Sequence, residues 1–378
     1  MSKIFKIFVI AIILFPFNSN AQFSLQKGDH LFEIGGNIIS GYNYRFYPSG
    51  TTDFHKDNFV LDEARFFFKG RVGSSLQYKY EMDIADLIAD IQTPSSYVGV
   101  LKDANIEYKT KFVSIKTGYQ KVPYGFNSDV AEIDDPFLNR PLVETKINSR
   151  RDLGVTLSHW FPQLRLSLYA GAYSGMGEEV FSTDNSNGKP EYIGRVEYSY
   201  PGRNIDQIVD MHKSPRPMFQ CGVNARYMDG SVTSSSDYNL ININGKKTSY
   251  GFDASLMYQG FSLQVESHQM KVLPVDSSLL FSEGKIYSYF KAGGYLAELN
   301  YFCRPLNSVF CVRYDELNPS DLIYGSNPRT LGFAYNYLIR QNFLSLKLQY
   351  LHHLPYTFPA NAIWKDDDLT LEFQVLFN

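Results

Sequence analysis

The sequence predicts a transmembrane antiparallel β-barrel of sixteen strands, an all-β fold, and three observations predict it. Apolar and polar residues alternate with period two in one segment after another, the pattern of strands with two unlike faces. The connections between those segments alternate between long and short. Beyond the first 21 residues there is no run of about 18 apolar residues, so any crossing of a bilayer falls to strands and not helices.

The chain opens with Lys3 and Lys6, then an apolar run from Ile7 to Phe17, then Ser19 and Ala21 where a signal peptidase takes small side chains. This predicts a secretory signal over residues 1–21, cleaved after Ala21. No cysteine follows at position 22, so no lipid anchor of the lipoprotein kind is expected. Residues 22–378 then form a single barrel domain. Loss of Lys3 and Lys6 leaves 34 basic against 39 acidic residues, a formal charge of −5, which is not the balance of a nucleic-acid binder. Fifty-seven Phe and Tyr against two Trp suit strands and membrane interfaces.

In the first half, strands are expected near 31–46, 59–72, 75–85, 100–109, 112–120, 151–160, 163–173 and 189–200. The second half adds 217–227, 248–258, 260–269, 286–302, 308–316, 328–338, 341–352 and 368–378. "LQYKYEMDI" sets Leu76, Tyr78, Tyr80 and Met82 against Gln77, Lys79 and Glu81. "QLRLSLYAG" sets Leu164, Leu166 and Leu168 against Gln163, Arg165 and Ser167. "NFLSLKLQY" and "LTLEFQVLF" repeat the pattern near the end. Turns such as Thr110-Lys111, Phe161-Pro162 and Gln259-Gly260 alternate with loops of ten residues or more, as outer-membrane barrels do. One segment breaks the rhythm: 201–216 is long where a short turn is due. A soluble β-sandwich also alternates. Here, though, the apolar face is apolar on nearly every strand, the other face is charged or small, and the strands exceed the usual length of about 5–6 residues.

The longest connection, "KVPYGFNSDVAEIDDPFLNRPLVETKINSR" at 121–150, looks like neither strand nor simple turn. It is flanked by Gly118 and by Arg151 and Gly154. Gly118, Lys121, Pro123, Tyr124 and Gly125, then Arg140-Pro141-Leu142, then Arg151 and Gly154, resemble the phosphate-selective porin O and P family, whose members carry a G-x-x-K-x-P-[FY]-G segment, an R-x-L and an R-x-x-G. The resemblance in plan spans nearly the whole mature chain, and its motifs concentrate between 112 and 154. "ARFFFKG" and "YKYEMDIAD" add to it. It implies a Gram-negative outer-membrane porin, a homotrimer, whose third external loop folds into the lumen and passes small polar or anionic solutes such as phosphate or polyphosphate. Outer-membrane lipid and the barrel assembly machinery are the partners it implies; Asn378 departs from the usual terminal aromatic residue.

Rings of Arg or Lys in a pore favour anions and rings of Asp or Glu favour cations. The expected constriction and anion-binding residues are Lys116, Lys121, Arg140, Lys146, Arg150 and Arg151. Strand phase turns Arg65, Lys69, Lys79, Arg165, Arg226, Arg313 and Lys347 into the lumen. Inward acids, among them Glu63, Glu81, Asp83, Asp103, Asp253, Glu266, Glu298 and Asp315, nearly cancel them, and alternating pairs such as Lys79 and Glu81 read equally well as mutual neutralisation on the wall. Glu132, Asp134 and Asp135 give the loop an acidic middle. A weak to moderate anion preference follows.

No cofactor or metal is expected: histidines are dispersed, a Gly-rich phosphate loop is absent, and Cys303 and Cys311 fall in opposite phases and so remain free thiols. The alternative is a plugged outer-membrane barrel serving as an adhesin or a membrane-embedded hydrolase. Ser158-His159 and Ser267-His268 are adjacent in strands and face opposite ways, so neither is a nucleophile and base pair.

Overall fold

The computed structural model describes residues 23–46, 58–86, 100–148, 150–179, 187–202, 205–230, 240, 243–323, 327–354 and 367–377. The signal segment lies outside these residues. Sixteen strands close the barrel. The first eight are β1 (His30–Phe46), β2 (Asn58–Val72), β3 (Leu76–Asp83), β4 (Leu101–Lys109), β5 (Ser114–Lys121), β6 (Arg151–Phe161), β7 (Leu166–Tyr173) and β8 (Glu191–Tyr200). The second eight are β9 (Met218–Gly230), β10 (Gly245–Tyr258), β11 (Phe261–Pro274), β12 (Phe290–Cys303), β13 (Ser308–Asn318), β14 (Arg329–Asn342), β15 (Leu344–Leu354) and β16 (Asp367–Phe377). Each pairs antiparallel with its sequence neighbours, and β16 closes on β1 with Phe373 opposite Ser40. Closure leaves no unpaired edge in lipid, where each unpaired backbone group costs several kcal/mol. A short strand, Phe23–Lys27, doubles back on the start of β1, and a two-rung hairpin pairs Phe281–Ser282 with Lys285–Ile286 beyond the end of β11.

Period two decides which side chains meet lipid. Leu153, Val155 and Leu157 on β6, Tyr250, Phe252, Leu256 and Tyr258 on β10, and Phe333, Tyr335 and Tyr337 on β14 all face outward and exposed. A water-soluble protein rarely exposes so continuous an apolar band; a bilayer requires one.

The inner face departs from expectation on one side. Along β10 to β15 it carries Met257, Met270, Val272, Phe290, Leu296, Val309, Cys311, Leu338 and Leu351, all buried, where charged or small residues were expected. These residues are covered from within by chain that enters the barrel. All three cysteines are free, with Cys311 inside this apolar lining.

β7 also starts later than expected. Leu164 and Arg165 belong to a four-residue turn in which Leu164 N–H donates to Phe161 O and Arg165 N–H to Pro162 O. Arg165 takes φ +56°, the left-handed conformation that returns the chain to the sheet, and its guanidinium stacks over Tyr200 at 4.6 Å. It sits at the rim on an outward-facing ring and does not line the pore, which corrects the sequence reading.

Candidate functional site: an inward-folded constriction

After β5 the chain turns into the barrel. Pro123 and the short helix α1 (Phe126–Asp129) are followed by a 3-10 turn over 132–134 and by α2 (Leu142–Ile147). Such short elements are not stable alone, and the far wall holds them. Tyr124 Oη donates to Ser249 Oγ of β10 at 2.8 Å, and Asn127 Nδ2 to Glu266 Oε2 of β11 at 2.9 Å. Leu142 N–H donates to Asp315 on β13 at 3.0 Å, Asn336 Nδ2 on β14 to Pro136 O at 3.0 Å, and Lys347 Nζ on β15 to Asp135 O at 2.7 Å. Leu138 N–H donates to Gln349 Oε1 at 2.9 Å. The segment therefore crosses the lumen and is stitched to β10, β11, β13, β14 and β15. Close approach needs Gly125, where a Cβ would stand 2.0 Å from Glu266 Oε1, and Gly332, where one would stand 2.7 Å from the Phe137 ring.

This stitching separates the inward cations into two groups. The first group holds the loop. Arg226 donates to Ile147 O, ion-pairs with Glu191 at 3.1 Å and stacks on Tyr124. Arg313 donates to Asn139 O at 2.6 Å, lies over the Phe137 ring and sits between Glu298 and Asp315. Lys347 completes this group. All three point inward as the phase predicts, and they face the plug instead of water. Arg195, which was not singled out as a site residue, belongs with them: it donates to Tyr124 O at 3.1 Å and bridges Asp253 and Glu197. Its inward phase was readable, but its role required the loop's path. Arg195→Met leaves two buried carboxylates without their counter-charge, a loss of about 3–5 kcal/mol. A lowered urea midpoint checks this, and the Arg195→Met, Asp253→Asn variant should recover part of it.

The second group lies on the near side, from β2 to β6. Arg65 is buried among Glu63, Glu81 and Asp83. Lys69 pairs with Glu33 at 3.5 Å and stays half exposed, and Lys79 bridges Glu81 at 2.6 Å and Asp103 at 2.8 Å. Lys116 is opposite Glu107 on β4 and is partly exposed. Lys121 and Arg151 face each other across β5 and β6, where the segment leaves and re-enters the wall. Lys121 Nζ donates to Asp129 O at 2.7 Å; Arg140 donates to Asn127 O at 2.8 Å and Val130 O at 3.1 Å. Both cations thus satisfy carbonyls at the end of α1, as basic residues commonly do at helix C-termini. Arg151 is buried within 3.9 Å of Asp103 and 3.6 Å of Glu178. Lys146 occupies the last turn of α2.

The basic residues around the loop's two ends act on one another. Burial, then neighbouring Arg150, lowers the Arg140 guanidinium to about 9, with Asp135 and Glu144 pulling the other way, so it remains charged at neutral pH. Burial and then Arg151 likewise lower Arg150. Glu178 senses the opposite field: burial raises its carboxyl, but Arg150, Lys102, Arg151 and Arg140 prevail and hold it at about 2. The loop ends therefore form a concentrated basic region in which the Glu178 and Asp103 carboxylates are embedded.

The segment that broke the loop rhythm enters from the opposite end. Among its described residues, Ile205, Ile208 and Val209 pack against Phe126, Val130 and Phe137 of the constriction and against the apolar inner wall. Ile205 N–H donates to Gln220 Oε1 at 2.6 Å and Asp210 N–H to Ser262 Oγ at 2.8 Å. The Asp210 carboxylate accepts from Ser214 N–H at 2.8 Å and Gly260 N–H at 2.9 Å, folding the segment back to β9. The sequence signalled only the anomalous length. Beside the two inserts, on the short-turn side, lies a cavity of about 700 Å3 whose lining includes Arg65, Lys69, Lys79, Asp134, Lys213 and Arg304. Cations predominate there.

A family model, phosphate-selective porin O and P, matches residues 32–353. Nothing among the curated proteins matches. Among solved structures, an anion-selective porin from Comamonas acidovorans superposes with a TM-score of 0.61 at 12% identity, covering 92% of this chain and 100% of that one. The outer membrane channel DcaP of Acinetobacter baumannii gives 0.60 at 12% identity, covering 93% of this chain and 99% of that one. Salmonella typhi OmpF, in complex with daunomycin, gives 0.59 at 10% identity, covering 94% and 100%. At these identities the superpositions speak to the barrel fold, and the family match speaks to descent.

Proposed function

The chain belongs to the phosphate-selective porin O and P family, outer-membrane channels for small solutes, and from that premise we propose that this porin prefers anions, phosphate-like anions included, and that its inward-folded loop sets the preference. One observation carries the proposal. The lumen is divided into a far half, where Arg226, Arg313 and Lys347 are spent on holding the loop, and a near half, where Lys69, Lys79 and Lys116 stay partly exposed beside the positive loop ends. In a confined aqueous passage with low-dielectric walls, those charges act on a passing ion more strongly than they would on an open surface. Their carboxylate partners, Glu33, Glu81 and Asp103, keep the preference moderate. Lys121, Arg140, Lys146, Arg150 and Arg151 contribute through the field at the loop ends, and Arg65 through the cavity wall.

Purified protein in planar bilayers is expected to give stepwise conductance without an energy source, and a reversal potential in a KCl gradient on the anion side. A cation-selective wild type would overturn the anion assignment while leaving the channel. A silent barrel would favour an adhesin. We propose also that the mature chain starts at Gln22 and assembles as a homotrimer; N-terminal sequencing and cross-linking of the membrane-extracted protein test the two.

A further inference from the structure

On the lipid-facing side of the barrel, at its long-loop end, Lys271 of β11 and Lys291 of β12 stand directly opposite each other. Both belong to the outward phase and both are exposed. Like charges at directly opposed positions of an antiparallel pair repel and destabilise it. Neither lysine has an ion pair among the described residues. The Asp321 carboxylate bonds to the backbone beside them, accepting the Lys291 N–H at 2.7 Å. The Tyr289 ring lies 4.1 Å from Lys271 Nζ and holds that side chain in place. One rung toward the membrane, Gln269 is opposite Gly293, where a Cβ would meet the Gln269 amide at 2.5 Å. The glutamine therefore lies flat across the glycine and makes a polar floor beneath the two ammonium groups.

The height of this arrangement identifies what it faces. Going down β12, the outward residues are Tyr295, Ala297, Leu299 and Tyr301; on β11 they are Ser267, whose hydroxyl donates to Gly294 O at 3.3 Å, then Val265, Leu263 and Phe261. Ten residues separate Tyr301 from Lys291, about 33 Å of strand, or about 25 Å along the axis of a barrel tilted by about 40°. That is the height of the apolar band of an outer-membrane barrel. Tyr295 and Tyr314, both bonded to Glu316 at 3.0 and 2.9 Å, lie in the upper part of that height, below the lysine pair. The lysine pair sits just above, at the level of headgroups.

We propose that Lys271 and Lys291, with Gln269 as floor and Tyr289 as wall, bind the phosphorylated headgroup of an outer-leaflet lipid whose acyl chains lie on the apolar strip below. A phosphate between the two ammonium groups converts their repulsion into two charge-assisted hydrogen bonds. Native mass spectrometry of the detergent-solubilised full-length protein tests this, with lipid A (a doubly phosphorylated glycolipid), dephosphorylated lipid A and inorganic phosphate as separate probes. The expected result is retention of lipid A alone, and a loss of roughly tenfold or more in the retained fraction for Lys271→Gln, Lys291→Gln. Unchanged single-channel conductance of that variant shows that the barrel is intact. Equal retention by the variant, or equal retention of the dephosphorylated lipid, overturns the proposal. Displacement of lipid A by inorganic phosphate at a similar concentration overturns it in favour of a free-anion site.

Discussion

Ile208→Asp should widen the pore, raising single-channel conductance by roughly twofold or more and admitting larger neutral sugars. Ile208 and Val209 are almost fully buried among Phe126, Val130 and Phe137, in a dry cluster at the middle of the barrel. An aspartate there has no partner in view, and burying an unpaired carboxylate costs several kcal/mol. The segment from Ile205 to Ser214 is held by a handful of hydrogen bonds to Gln220, Ser262 and Gly260, each worth about 1 kcal/mol net. The sixteen-stranded ladder does not depend on it. The cheaper response is therefore for the segment to leave the lumen while the strands stay paired. Heat-modifiable migration on a gel should confirm that the barrel is intact, and excision of residues 204–213 should reproduce the larger conductance. Unchanged conductance in both variants would mean that the segment only lines the exit and does not narrow it.

Reversing two charges on the near wall should reverse the selectivity. Lys79→Glu together with Lys116→Glu changes the passage by four charges, and it leaves untouched the cations that hold the loop. Lys79 now neutralises Glu81 and Asp103; with glutamate in its place, three carboxylates stand together behind the passage, with Arg65 and Arg151 as their remaining counter-charges. The reversal potential in a KCl gradient should move to the cation side, and phosphate flux into proteoliposomes should fall. Screening gives an internal control, because the Debye length shrinks from about 10 Å at 0.1 M salt to about 3 Å at 1 M. The difference between wild type and variant should therefore narrow at high salt. The more obvious double variant, Arg140→Glu with Arg151→Glu, tests less cleanly. Arg140 is bonded to Asn127 O and Val130 O, and Arg151 is buried between Asp103 and Glu178, so it would disturb the loop as well as the field. If the Lys79 and Lys116 variant keeps the wild-type selectivity, the near-wall lysines are structural neutralisers of their acidic neighbours.

What the sequence determined by itself is the barrel. Period-two alternation fixes which face of each strand meets lipid, and residues such as Leu157, Phe252 and Tyr335 were legible because burial in a bilayer is decided one strand at a time. Strand count, the long and short connections and the inward phase of Arg226, Arg313 and Lys347 follow from the same local rule. Arg165 shows where that rule ends: alternation assumes a continuing strand, and a turn residue at φ +56° breaks it. The path of residues 122–148 across the lumen was decided only by tertiary structure, because Glu266, Asp315, Asn336 and Lys347 are more than a hundred residues away and the bonds they make carry no local pattern. The same holds for the second insert, since Ile208 in the sequence is one of a few apolar residues scattered through a polar turn until Phe126 and Phe137 arrive to cover it. Near-equal numbers of inward acids and bases gave a nearly neutral pore on paper. The fold uses far-wall charges of both signs to hold the loop, Glu266 and Asp315 as well as Arg226, Arg313 and Lys347, so which inward charges remain open to water was decided only when the loop packed against that wall.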